Sequence, residues 1–270
     1  MYDAHSIALG ELAFKILFNN RNCQIYFAGG TYMSFDSIPG RMENVPATIL
    51  NLLGFVPPDG IPEALKLGTS YQGSQVVCCM IDNFGLFEIV TYKPEFLVVL
   101  FDTLLMLDTT QAWSNSVFTE IMTGSLSNSE FNLFHFLEAN GNKTCVIGRS
   151  VLTTQVTGSD SVFSVKNDME GYIQAIKSLN RFDLLFLTFS DFDELHQQFK
   201  ERLPPRNLVQ KILTRTSNWL KVFHKNAKPD TVFFIIGNHG LRDVDFGYTG
   251  EERRKQRASC PVGILAKKSE

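Results

Sequence analysis

Unbroken apolar runs alternate with helical patterns along this chain. Three of the runs are QVVCCMI at residues 75–81, DLLFLTF at 183–189 and TVFFII at 231–236. Strands that are buried on both faces have this character, and they occur mainly in parallel sheets covered by helices. The sequence therefore predicts an α/β fold with a mostly parallel central sheet and helices on both faces.

The remaining apolar patterns complete this alternation. Helices are predicted over residues 7–17, 46–53, 94–107, 130–139, 168–179 and 206–224. Further strands are predicted over residues 24–28, 143–147 and 261–266. The stretch 151–168 is polar and rich in Ser and Thr, and we interpret it as a long loop or a small cap near the site.

Composition bounds the size of the core and the class of partner. The 270 residues are 44% hydrophobic, which is enough for one large domain spanning residues 1–270. A net charge of -3 argues against nucleic acid as a partner, and no apolar run approaches the roughly 20 residues of a membrane span. Five cysteines without a CxxC pair, together with an N-terminus unlike a signal peptide, predict buried thiols and a cytoplasmic protein. The sequence does not determine the oligomeric state.

Polar residues follow the predicted strands where ligands of α/β proteins bind. Asp82 follows residues 75–81, Asp191 follows 183–189, and the pair Asn238-His239 follows 231–236. Parallel strands bring their carboxyl ends to one edge of the sheet, so these side chains are predicted to converge there. The alternatives for the aspartates are an Asx turn or helix cap at Asp82 and a helix start at Asp191.

The segment DFDELH adds two more candidate ligands. Asp193 and His196 lie with Asp191 within six residues. Carboxylates and an imidazole at this spacing can bind one divalent cation. Acidic residues in the first turn of a helix would give the same pattern.

Four motifs together resemble the alkaline phosphatase superfamily. They are MIDNFG around Asp82, SNSVFTEIMTG at residues 114–124, DFDELH, and GNHG around His239. The second resembles the nucleophile segment of that superfamily, in which a Ser or Thr begins a helix. DFDELH is most similar to the motif of the phosphopentomutase and phosphoglycerate mutase branches.

The resemblance implies a set of roles for these residues. Ser114 takes the place of the nucleophile, with Ser116 and Thr119 in reserve if the register is shifted. The implied ligands of one or two divalent cations (zinc, manganese or magnesium) are Asp82, Asp191, His196, Asn238 and His239.

One motif stands in an unexpected order. The segment VPATILNLLG at residues 45–54 resembles the C-terminal end of the superfamily's domain, yet it precedes MIDNFG. The simplest explanation is a circular permutation, in which residues 1–60 carry the displaced final strand and helix, and residues 75–270 form the core. This hypothesis predicts that the strand 24–28 joins the same sheet as the strand 261–266.

Two departures from the superfamily pattern leave two functions open. Asn238 replaces an aspartate, and Tyr248 or Thr249 stands where a histidine is expected, with Glu251 or Asp245 as possible substitutes. The first hypothesis is a metal-dependent hydrolase of a phosphate mono- or diester, acting on a small molecule through Ser114. Phosphomutase chemistry is a variant, and sulfate or phosphonate substrates remain open. The alternative is a catalytically degenerate binding protein that keeps the fold.

Overall fold

The fold is taken from a computed structural model of the chain. It describes residues 5–7, 14–19, 22–27, 32–36, 40–67, 71–92, 94, 103–126, 130–199, 202–240 and 258–267.

A large sheet of eight described strands forms the centre of the protein. Its strands are β5 (Gly40–Arg41), β6 (Gln75–Ile81), β7 (Thr103–Asp108), β8 (Thr144–Gly148), β9 (Ser161–Ser164), β10 (Leu184–Phe189), β11 (Thr231–Gly237) and β12 (Ser259–Lys267). They lie in the order β5-β7-β12-β11-β6-β10-β8-β9. Every neighbouring pair is parallel except the two that β12 makes with β7 and β11. The predicted mostly parallel sheet is confirmed.

Eight described helices cover the two faces of this sheet. They are α1 (Val45–Leu52), α2 (Leu86–Tyr92), α3 (Ser114–Thr123), α4 (Leu133–Ala139), α5 (Ser150–Thr153), α6 (Asp168–Ser178), α7 (Asp191–Phe199) and α8 (Arg206–Asn226). Apolar residues of α1, α3 and α4 pack in one buried cluster, and those of α2, α6, α7 and α8 pack in a second. Strand β6 separates the clusters, since Val76 and Cys78 face the first and Val77 and Cys79 the second. Helices therefore lie on both faces, as predicted.

A second, antiparallel sheet corrects the prediction for the N-terminal region. Its strands β1 (His5–Ile7), β2 (Phe14–Asn19), β3 (Asn22–Phe27) and β4 (Tyr32–Asp36) lie in sequence order. The predicted helix over residues 7–17 is therefore wrong, because Phe14, Ile16 and Phe18 follow the two-residue period of a strand. The prediction that strand 24–28 joins the large sheet is also wrong, since that segment pairs with β2 and β4.

The displaced segment itself does belong to the main core. Val45 and Ile49 of α1 are buried in the same cluster as Val117 and Phe118 of α3. Strand β5, just before it, pairs in parallel with β7. The circular permutation and the single domain stay predictions.

Two other segments differ from the sequence-based expectation. Residues 103–107 were predicted as helix, but they form β7. Their apolar pattern suits a helix or a strand, and antiparallel pairing with β12 favours the strand. The polar stretch 151–168 was predicted as a loop or cap. It holds the end of α5 and the edge strand β9, which pairs with β8.

Two further predictions concern the cysteines and the membrane. Cys78, Cys79, Cys145 and Cys260 are free thiols buried in strands, as predicted. Burial raises the pKa of the Cys145 thiol to about 12. Of the helices that the structure describes, none has both the length and the apolar character that crossing a bilayer demands.

Candidate active site

The carboxyl ends of three adjacent strands are level with one another. The register pairs Gly237 of β11 with Ile81 of β6, and Ile81 in turn with Phe189 of β10. The next residues in the chain are Asn238, Asp82 and Ser190. Parallel pairing thus brings polar residues that are far apart in sequence to one edge of the sheet, as predicted.

Four of the predicted residues meet at the carboxylate of Asp82. The hydroxyl of Ser114 donates to Asp82 Oδ1 at 2.6 Å, and Asn238 Nδ2 donates to the same oxygen at 2.7 Å. His239 Nε2 lies 3.4 Å from Asp82 Oδ1 and 3.2 Å from Ser114 Oγ. We call these four residues the Asp82 cluster. Asp82, Asn238 and His239, which follow apolar strands, therefore converge at this edge as predicted.

The local structure explains why these side chains converge. Asn83 has a φ of 57°, a left-handed conformation that Asn tolerates, and it turns the chain out of β6. Ser114 is the first residue of α3, and the preceding residue Trp113 is extended. The hydroxyls of Ser116 and Thr119 bond instead to Gln111 and to the backbone of Asn115. Only Ser114 of these three candidates therefore contacts the cluster.

The electrostatics of Asp82 favour its charged form. The side chain is buried, with 7% of its surface exposed. Burial alone would raise its pKa. The hydrogen bond and charge of His239 in its protonated form, with the hydrogen bonds from Ser114 and Asn238, outweigh burial and lower it. Asp82 is therefore a carboxylate at neutral pH.

His239 directs one ring nitrogen into the cluster. Its Nδ1 lies 3.1 Å from the carbonyl oxygen of Gly240, and a carbonyl can only accept, so Nδ1 carries the proton. In the neutral ring, the lone pair of Nε2 then faces Ser114 and Asp82. This lone pair can accept the hydroxyl proton of Ser114 or bind a cation.

Three atoms of the cluster fit a divalent cation. Asp82 Oδ1, Ser114 Oγ and His239 Nε2 lie 2.6 to 3.4 Å from one another. Tetrahedral ligands at about 2.1 Å from a zinc ion lie roughly 3.4 Å apart, so small shifts would admit the ion. The described residues contain no group of three or more His, Cys, Asp and Glu side chains that could hold a metal. Asp82 and His239 would therefore need the Ser114 oxygen as a third ligand atom.

Asn238 is oriented as a hydrogen-bond donor toward this cluster. Its Oδ1 accepts from the backbone N–H of Asn83 at 2.9 Å, and an N–H can only donate, which fixes the amide orientation. Its Nδ2 therefore faces Asp82. An amide nitrogen has no free lone pair, so in this orientation Asn238 does not offer the metal ligand that the sequence predicts.

Asp191 is held by arginines and not by the Asp82 cluster. Arg215 Nη2 lies 2.9 Å from Asp191 Oδ2, and Arg149 Nη2 lies 3.6 Å from Oδ1. Asp168 receives the N–H groups of Ser190 and Asp191. Burial and the charge of Asp191 raise the pKa of Asp168 to about 7. In the described part of the chain, no hydrogen bond or ion pair joins Asp191 to the Asp82 cluster.

His196 is a buried imidazole on α7, and 3% of its surface is exposed. Its ring lies 4.5 Å from that of Phe192, and both ring nitrogens lack a hydrogen-bond partner among the described residues. Burial lowers its pKa to about 4, so the ring is neutral. Asp193, three residues earlier, accepts from Gln197. Whether Asp193 and His196 bind a second cation stays a prediction.

His196 makes the protein sensitive to acid. The folded ring stays neutral while the unfolded ring is protonated below its usual pKa, so stability falls as pH drops from about 6.5 to about 4. His196→Phe should remove this pH dependence, which amounts to at most roughly 3 kcal/mol in the free energy of unfolding. The measurement is urea unfolding at a series of pH values with a chelator present. His135→Phe, at an exposed site, is the control. Equal acid sensitivity of parent and His196→Phe would refute this account.

Some candidate residues lie outside the described structure, and one residue beside the site was not predicted. The substitutes Asp245 and Glu251, and the positions Tyr248 and Thr249, lie outside the described residues. The sequence did not lead us to predict Asn83 as a site residue. It follows Asp82 directly, and its buried Oδ1 has no hydrogen-bond partner in the described structure. Its position next to a predicted ligand was the available signal.

No model of a protein family matches the chain, and neither does any curated protein. Solved structures do match. A protein in the alkaline phosphatase superfamily from Vibrio parahaemolyticus is 14% identical, with a TM-score of 0.53 over 84% of this chain and 68% of the other. The C-terminal periplasmic domain of EcEptC from Escherichia coli is 11% identical, with a TM-score of 0.51 over 73% of each chain.

The lipoteichoic acid synthase LtaP from Listeria monocytogenes is 13% identical, with a TM-score of 0.50 over 73% of this chain and 66% of the other. A second structure of the EcEptC domain, in complex with Zn, also has a TM-score of 0.50. This chain is similar to each of them in fold. The fold resembles that of a protein in the alkaline phosphatase superfamily, and the predicted α/β class with a mostly parallel sheet is confirmed.

Proposed function

We propose that this chain, with its alkaline phosphatase fold, is a metal-dependent hydrolase of phosphate esters that uses Ser114 as its nucleophile. The observation that carries this proposal is the contact of the Ser114 hydroxyl with both Asp82 Oδ1 and His239 Nε2, at 2.6 and 3.2 Å. A hydroxyl is a weak nucleophile until a neighbouring base or cation activates it. Here the activation would come from a cation bound by this oxygen, Asp82 Oδ1 and His239 Nε2, so His239 would act as a ligand and not as the base.

Ser114 carries the covalent step of the reaction. Its hydroxyl gives up its proton to solvent while its oxygen forms a bond to phosphorus, and the leaving oxygen takes up a proton as its own bond to phosphorus breaks. Ser114 begins α3, so backbone N–H groups of the first turn stabilise negative charge at its oxygen. Water then attacks the phosphoserine and restores the hydroxyl.

A divalent cation would be held by Asp82, Ser114 and His239. Such an ion neutralises phosphate oxygens and lowers the pKa of the attacking hydroxyl. The mixed oxygen and nitrogen ligands suit zinc or manganese better than magnesium, which prefers oxygen alone. The zinc complex of the EcEptC domain supports a zinc-dependent reaction, and a second ion at His196 remains part of the proposal.

The proposed substrate is a small-molecule phosphate ester. Asp82, Asn238 and His239 are polar and buried, and Ser114 is half-buried, which suits a compact phosphoryl group. Transfer of the phosphoryl group to a second site on the substrate, as in a phosphomutase, uses the same Ser114 chemistry. A cytoplasmic location stays a prediction.

The charge at position 238 gives a direct test of metal dependence. We expect Asn238→Asp to raise the affinity for zinc or manganese at least about tenfold, because a carboxylate beside Asp82 needs a cation to offset the repulsion. The rate of aryl phosphate hydrolysis should rise with it. Metal affinity is measured by competition with a chromogenic chelator. The control is Asn51→Asp, which adds the same charge at an exposed position of α1.

The orientation of Asn238 also supports a second function, a binding protein without catalysis. Its Nδ2 donates to Asp82 at 2.7 Å and satisfies that carboxylate without a cation. The two functions give opposite results in one assay. An absence of turnover in both the parent and Asn238→Asp with zinc, manganese and magnesium would reject the hydrolase in favour of the binding protein.

A further inference from the structure

Strand β9 forms one end of the large sheet, and its outer edge pairs with no strand in the described part of the chain. The backbone N–H of Val165 donates to Gly148 of β8 at 2.8 Å. Alternate residues of a strand direct their N–H and C=O groups to the same side. Val162 and Ser164 therefore direct theirs to the open edge, where they are available to another strand.

Most of the exposed large apolar side chains of the described structure lie on β9 and on the helices before and after it in the chain. Of the seven large hydrophobic residues that are exposed in the described structure, five lie on α5, β9 and α6: Val151, Val162, Phe163, Met169 and Ile173. Phe163 pairs in register with Ile147, so it lies on the sheet face that α6 covers. An open edge with apolar side chains is a template for strand pairing, and monomeric proteins usually protect such edges with charges, Pro or a bulge.

The charges that flank β9 are complementary under a two-fold rotation. Asp160 precedes the strand and Lys166 follows it, and both side chains are exposed. Neither forms an ion pair with a described residue. Both residues lie at bends just outside β9. In an antiparallel pair of two β9 strands with the two-fold axis at Phe163, Asp160 of each copy comes to the same end of the pair as Lys166 of the other.

This register also satisfies the backbone. It places Val162 opposite Ser164 of the second copy, and both residues present their N–H and C=O groups to the open edge. A two-fold axis at Val162 or at Ser164 would also pair outward groups. Those registers set Asp160 opposite Ser164 or Asp168, so only the axis at Phe163 pairs opposite charges.

We propose that two copies of this chain associate through their β9 edges in antiparallel register about Phe163, which joins the two large sheets into one. Val162 and Ser164 supply the backbone hydrogen bonds, and Phe163 packs against its symmetry mate. The paired charges of Asp160 and Lys166 select the register. The apolar residues of α5 and α6 add the surface that a four-residue strand alone lacks.

The charge pairs provide the first test. Sedimentation equilibrium of the full chain at micromolar concentrations is expected to show a dimer. Lys166→Glu creates one Asp–Glu pair of like charges at each end of the paired strands. It should raise the dimer dissociation constant at least about tenfold, because like charges facing each other in a sheet are destabilising. Lys211→Glu makes the same change on an exposed site of α8 and should leave it unchanged. A monomeric parent, or an equal effect of both variants, would overturn the proposal.

Cross-linking tests the register independently of stability. Opposed residues that are not hydrogen-bonded to each other bring their Cβ atoms to about 4.5–5.5 Å, close to the separation in a disulfide. Phe163→Cys is therefore expected to form a covalent dimer under mild oxidation. Val162→Cys should not, since Val162 lies opposite Ser164, and the parent controls for its own cysteines. Equal cross-linking of the two variants would exclude this register.

Discussion

Ser114→Ala is expected to lower the rate of phosphate ester hydrolysis at least about 10³-fold, since removal of a nucleophile abolishes covalent catalysis and leaves only binding and charge stabilisation. The methyl group cannot form the bond to phosphorus, and it removes the oxygen that completes the proposed metal site. The measurement is the turnover of an aryl phosphate with zinc, manganese and magnesium in turn.

The fold should survive this change. Ser114 is the first residue of α3 and makes no capping bond, so the variant loses mainly the hydrogen bond to Asp82, about 1–3 kcal/mol. Asp82 keeps its bond from Asn238. Ser116→Ala is the matched control, because its hydroxyl lies two residues further along α3 and contacts only Gln111 in the described structure. Full activity in Ser114→Ala would refute the covalent mechanism.

Gly85→Ala is expected to damage the site from a distance. A Cβ at Gly85 would lie 2.5 Å from Gly240 Cα, 2.6 Å from Gly240 N and 3.2 Å from the carbonyl carbon of His239. These are backbone atoms, so the segment that carries His239 and the turn at Gly85 must move apart. A displacement of about 1 Å can lower a rate by roughly 10²-fold, and overpacking costs about 1–3 kcal/mol.

The effect of Gly85→Ala is measured by urea unfolding, by zinc affinity and by turnover. Gly171→Ala is the control, since a Cβ there meets Leu187 and Val165 at ordinary distances of 3.5 and 3.6 Å within α6. We expect that variant to be neutral or more stable, because Ala favours a helix over Gly by about 1 kcal/mol. If Gly85→Ala matched the parent in all three measurements, the close packing of these two segments would not position the site.

The main sheet could be predicted because its buried strands are unbroken apolar runs. β6, β10 and β11 stand out in this way, and the polar residue after each marks its end. Helices α6 and α8 were also predicted from their period. These elements combine strong local preference with burial, so short-range pattern and long-range packing agree.

The elements that were predicted wrongly depend on a partner distant in sequence. The apolar residues of β7 suit a helix or a strand, and antiparallel pairing with β12 stabilises the strand. β2 and β3 form a hairpin, and the apolar residues of β2 fit both periods over a short stretch. β9 lies within a Ser- and Thr-rich stretch, and its pairing with β8 marks it as a strand. In each case tertiary contact outweighs local propensity.

The sequence by itself determined the fold class and the residues that reach the edge of the sheet. Asp82, Asn238 and His239 follow apolar strands, and parallel pairing must bring such positions together. Only the tertiary structure decided what each side chain does there. Asn238 turns its amide nitrogen toward Asp82 because the N–H of Asn83 occupies its oxygen, and Asp191 is paired with Arg149 and Arg215, which lie far from it in sequence. Hydrogen-bond direction and ion pairing are set by neighbours in space, and these neighbours exist only once the chain has folded.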